Sequence, residues 1–63
     1  MKLYKIKQDG FQIGGASGKK KAIETLKKIL TFEGITYAYW EKFQAGVLKV
    51  KTNDHDFTIE ESL

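Results

Sequence analysis

Apolar residues recur at three- and four-residue spacing in a single stretch, Ala22, Ile23, Leu26, Ile29 and Leu30, which predicts one amphipathic helix. Elsewhere they alternate with polar residues, as strands require. A lone helix covers one face of an antiparallel sheet and leaves the other to solvent or to a partner. Any function has to be reconciled with a half-covered sheet.

Turn chemistry orders the elements. Leu3 to Gln8 and Phe11 to Ile13 flank Asp9-Gly10, a favoured pair for a two-residue type I′ turn. The resulting hairpin puts Tyr4, Ile6, Phe11 and Ile13 on one face, with Lys5 and Lys7 on the other. Residues 14–18 read as a glycine-rich connector with Ser17 as N-cap, followed by a helix over about 18–33 that Gly34 ends, with Ile35 as its apolar contact. Residues 35–43 and 47–52 predict a second hairpin around Gln44-Ala45-Gly46. Its register pairs Phe43 with Val47, Glu41 with Lys49 and Tyr39 with Lys51 on one face, and Trp40 with Val50 and Lys42 with Leu48 on the other. After a turn at Asn53-Asp54-His55, Phe57 to Ile59 form a short last strand before an acidic end. The expected fold class is α+β: an antiparallel sheet of two hairpins and a short fifth strand, one helix on one face, order ββαβββ, in a single domain over residues 1–63.

At 63 residues and without cysteine, no disulfide or thiolate zinc site can staple the fold. The core holds it unaided, or a partner or second copy completes it. No apolar run approaches the roughly 18 residues of a membrane span, and Met1-Lys2 is not followed by a leader-like apolar run. A cytoplasmic protein without membrane contact is therefore expected.

All eleven cations are lysines and the net charge is +3. Without arginine, bidentate reading of base edges by that side chain is excluded, and anions are met as point charges. The charge is polarised: residues 1–28 hold eight lysines against Asp9 and Glu24, a balance of +6, whereas residues 29–63 hold three against six carboxylates, a balance of −3.

The triplet Lys19-Lys20-Lys21 falls at the helix N-terminus, where cations oppose the helix dipole by about 0.3–1 kcal/mol each. Beside backbone N–H groups and a glycine-rich entry, such a run is suited to phosphate or to a carboxylate-rich partner. Solvation of the lysines, or neutralisation by the acidic segment Asp54, Asp56, Glu60 and Glu61 folding back on them, is the structural alternative. The spacing departs from a Walker A loop, because three residues separate Gly14 from Gly18 and Lys20, not Ser or Thr, follows Lys19. Residues 17–22 are similar to the start of the last helix of double-stranded RNA-binding domains, where lysines meet phosphates, although that family orders its helices and strands differently.

The second feature is aromatic. With Trp40, Leu48 and Val50 under the helix, Tyr37, Tyr39 and Phe43 would share the open sheet face with Lys49 and Lys51, a surface able to stack unpaired bases. Ordinary cross-strand packing of tyrosines is the plainer reading. His55 stands between Asp54 and Asp56 with no second histidine, so a turn is expected there, no metal and no cofactor. Nothing pairs a nucleophile with a base, and no enzymatic activity is expected.

Two functions fit. The first is a small nucleic-acid-binding module, for DNA or RNA, that contacts phosphates through Lys5, Lys7, Lys19, Lys20, Lys21, Lys49 and Lys51 and stacks bases on Tyr37, Tyr39 and Phe43. The second is a protein-interaction regulator or inhibitor, viral ones included, whose lysines meet an acidic surface on a larger enzyme or assembly. A homodimer is compatible with both.

Overall fold

The computed structural model describes residues 2–62. They form β1 (Leu3–Gln8), β2 (Phe11–Ser17), α1 (Lys19–Phe32), β3 (Tyr39–Trp40), β4 (Val47–Lys51) and β5 (Asp56–Ser62), in the order ββαβββ. The fold is α+β, with one five-stranded antiparallel sheet in the spatial order β2-β1-β5-β4-β3 and α1 across one face.

The last strand organises the sheet. β5 lies between β1 and β4 and pairs with both, joining the two hairpins. Its Phe57 and Ile59 are fully buried against Tyr4 and Ile6 of β1, Leu48 and Val50 of β4, and Ala22, Leu26 and Leu30 of α1. The expected short strand at 57–59 thus runs to Ser62, and the acidic segment becomes sheet. Glu60 meets Lys7 at 3.2 Å and Glu61 meets Lys2, so neither folds back onto the lysine triplet.

The first hairpin turns as expected, with Asp9 and Gly10 at φ 52° and 89°. Its register departs from the expected one, because a bulge shifts the pairing so that Lys7 faces Gln12 while Ile6 faces Gly14. Ile13 loses its place opposite Ile6, and Phe11 and Ile13 stay 77% and 42% exposed instead of joining the core.

The glycine-rich connector is strand, not loop. Gly14, Gly15, Ala16 and Ser17 pair with Ile6, Lys5, Tyr4 and Leu3. A Cβ at Gly15 would sit 3.2 Å from the Tyr4 carbonyl oxygen, closer than an ordinary contact, whereas one at Gly14 would meet Ile29 of α1 at van der Waals distance. Because the strand lasts through Ser17, the N-cap passes to Gly18. At φ 91° Gly18 takes a conformation that suits glycine, and its N–H donates to the Lys2 carbonyl at 2.8 Å. At the other end the expected stop forms as a Schellman motif, with Gly34 N–H donating to Thr31 and Ile35 N–H to Leu30.

The second hairpin keeps the expected register at Tyr39–Lys51 and Trp40–Val50, and changes it at the tip. Gln44 exchanges both backbone bonds with Val47 at 2.9 Å across a two-residue type I′ turn, Ala45 at φ 50° and Gly46 at φ 79°. This shortened turn displaces Phe43 from its expected place opposite Val47. Phe43 packs on the core, its ring edge-on to Tyr4 at 5.9 Å.

Candidate functional site

The expected cations separate onto two faces of the molecule. In β1 and β4 the buried residues alternate with Lys5, Lys7, Lys49 and Lys51, which therefore point to the face away from α1. Lys19, Lys20 and Lys21 lie on the helix, across the sheet.

The open sheet face mixes charges of both signs. Lys5 stands opposite Glu60, Lys7 bonds Glu60 at 3.2 Å, Lys51 stands opposite Asp56, and Lys49 stands opposite Thr58. Four lysines there surround two carboxylates, Glu60 and Asp56, with Thr58 between them donating to Glu60 at 3.1 Å. Such a checkerboard is what cross-strand pairing favours for its own sake.

Of the expected stacking residues, Tyr39 is on this face opposite Lys51 and is 57% exposed. Tyr37 is equally exposed but stands in the chain leading to β3, along a cleft of about 240 Å³ lined also by Glu33, Asp54 and His55. Phe43 is on the helix side, so the three aromatics do not form one platform.

The helix face is different. α1 carries Lys19, Lys20, Lys21, Lys27 and Lys28 against a single carboxylate, Glu24. Among the described residues none of these five lysines has an ion-pair partner; the lysine ion pairs belong to Lys2 and Lys7. Lys20 and Lys27, and likewise Lys21 and Lys28, are seven residues apart, two turns of helix or about 10 Å. They form two parallel rows on the exposed surface. Glu24 is three or four residues from each of these four lysines, so one carboxylate sits at the centre of four ammonium groups.

Two of the helix lysines border aromatic rings. The Lys19 ammonium lies 4.6 Å from the centre of the Phe43 ring, and that of Lys27 lies 5.9 Å from Trp40. Both rings are half-buried along the seam between α1 and the β3 side of the sheet. Sequence reasoning weighed Lys19, Lys20 and Lys21 as contacts and passed over Lys27, Lys28 and Trp40. The seven-residue lysine repeat was the available signal for the first two; the Trp40 contact depends on how the helix crosses the sheet.

Acidic groups collect at the far end, where the helix finishes. His55 Nδ1 lies 2.7 Å from Asp9 Oδ2, and Asp9 Oδ1 accepts the Asp56 N–H at 2.9 Å, which fastens the β1–β2 turn to the start of β5. These bonds hold the Asp9 carboxyl below the usual range, the Asp56 N–H first and His55 second. The bond to Asp9 raises His55, and Glu33 and Asp54 add to the effect. Among the described residues no group of three or more His, Cys, Asp or Glu is disposed to hold a metal ion. No described helix is long and apolar enough to cross a membrane.

No family model matches the chain, and neither a curated protein nor a solved structure does.

Proposed function

We propose that the chain is a small nucleic-acid-binding module whose phosphate contacts come from the exposed face of α1. The observation that carries this reading is the concentration of five lysines on one helix against the single carboxylate Glu24, none of them in an ion pair among the described residues, whereas the sheet-face lysines are interspersed with Glu60 and Asp56. Unpaired lysines release counterions when they meet phosphates, and this supplies most sequence-tolerant affinity. The working residues are Lys20, Lys21, Lys27 and Lys28, with Lys19 and the half-buried Trp40 and Phe43 along the seam. Lys5, Lys7 and Lys51, which stand among Glu60 and Asp56, and Lys49, Tyr37 and Tyr39, which lie away from the helix lysines, become secondary candidates.

An NMR titration with short duplex and single-stranded oligonucleotides tests the assignment. Shifts should concentrate on residues 19–28 and on the Trp40 indole, and weaken with salt. Glu24→Gln, which removes the lone carboxylate among four lysines, should tighten binding. An unchanged spectrum at high oligonucleotide concentration would reject the reading in favour of an acidic protein as the partner of the lysines.

A further inference from the structure

The two edges of the sheet are built differently. β3 is two residues long and is followed by Glu41 and Lys42. Short length and charge at an edge discourage pairing with other chains. β2 is seven residues long and contains no charge and no proline. Its one protective feature is the bulge at Ile13.

Apolar residues gather along this edge. Phe11 and Ile13 are on β2 itself, 77% and 42% exposed, and Phe32 of α1 is 90% exposed. The helix runs antiparallel to β2: it starts beside Ser17 and ends near Gln8, whose side chain reaches Glu33 at 3.4 Å. Ile29 leans on Gly14 from the β2 flank of the helix, while Lys27 leans over Trp40 on the opposite flank. Phe32, one turn beyond Ile29, therefore projects on the β2 side near the hairpin tip that carries Phe11.

We infer that a second copy of this chain pairs with β2 in antiparallel fashion about a two-fold axis near Gly14-Gly15, giving a continuous ten-stranded sheet. The charge distribution selects this occupant. A chain of net charge +3 docks on itself with least repulsion through an uncharged strand, and β2 is one, with Thr25 and Ile29 beside it on α1, while Lys21 and Lys28, one turn before Thr25 and Phe32, stand at its border. Antiparallel pairing also sets the acidic end of each copy, with Asp9 and Glu33, beside Lys19, Lys20 and Lys21 of the other, and opposes the two helix dipoles. The uncharged edge thus becomes the centre of an isologous interface flanked by complementary charge. The two lysine-bearing helices then lie on the same side of one sheet.

Sedimentation equilibrium over a concentration series tests this. Wild type should approach twice the 7.2 kDa chain mass. The double variant Phe11→Lys/Phe32→Lys, altered only at exposed positions, should keep its circular dichroism and weaken association by at least about tenfold. Glu33→Lys and Lys21→Glu should each weaken association, and the two together should restore part of it. A wild type that stays monomeric at about 1 mM, a level that detects even millimolar affinity, overturns the inference. So does a dimer indifferent to the Phe11/Phe32 variant. Neither result depends on nucleic-acid binding.

Discussion

The same replacement, Phe→Ala, should have opposite consequences at two ends of the chain. Phe57 is fully buried in β5 between β1 and β4, and its removal leaves a void beneath α1. Such truncations cost about 3–5 kcal/mol. A domain of 63 residues holds about 3–9 kcal/mol in total at typical per-residue stability. Phe57→Ala should therefore lose most of the stability and lower Tm by at least about 12 °C. Phe11 and Phe32 are 77% and 90% exposed, so Phe11→Ala and Phe32→Ala should change monomer stability by less than about 0.5 kcal/mol. Urea unfolding followed by Trp40 fluorescence, at a concentration low enough to keep the protein monomeric, reads all three variants. If Phe11→Ala costs as much as Phe57→Ala, the placement of Phe11 outside the core at the hairpin tip is wrong. If Phe57→Ala is mild, β5 is not the centre of the sheet.

Ala45 occupies the first left-handed position of a type I′ turn, which a Cβ disfavours and asparagine tolerates. Ala45→Asn should raise stability by roughly 0.5–1 kcal/mol in the same urea assay. The Asp9–His55 contact predicts a pH dependence on both sides. The His55 pKa is raised, so its contribution is complete below the ordinary value of 6.5 and fades as pH climbs through the higher folded value. The Asp9 pKa is lowered, so its contribution is complete above 3.8 and fades as pH falls through the lower folded value. Thermal unfolding from pH 3 to 8 should place the pair's benefit between those limits, and Asp9→Asn should flatten both flanks.

Much of the fold was legible because local signals and tertiary demands agree. The helix stripe, the Asp9-Gly10 turn, the Gly34 stop and the Tyr39–Lys51 and Trp40–Val50 pairings all follow from spacing and turn chemistry. The departures come where long-range pairing overrides a local signal. Gly14 and Gly15 look like a flexible joint, yet β1 supplies partners through Leu3, and a Cβ at Gly15 would crowd the Tyr4 carbonyl oxygen. The two hairpin irregularities each move one apolar residue, taking Ile13 from its place opposite Ile6 and bringing Phe43 onto Tyr4. The acidic end reads as a solvated tail, but alternation at Phe57 and Ile59 continues into the strand that joins the hairpins.

Site prediction met the same difficulty. Lysine content was visible in the chain, but which lysines have carboxylates beside them depends on β5, whose Glu60 and Asp56 fall among the sheet lysines.

The most direct measurement of the nucleic-acid reading is the salt dependence of binding to a fluorescent duplex, for wild type and for the variant with Lys20, Lys21, Lys27 and Lys28 all changed to Gln. Four phosphate contacts predict a slope of about −3.6 in log K against log salt for a duplex, or about −2.8 for a single strand. The variant should lose most of that slope and most of the low-salt affinity. Absence of wild-type binding at low salt, or a slope that the four substitutions leave unchanged, would contradict the assignment of α1 as the contact surface.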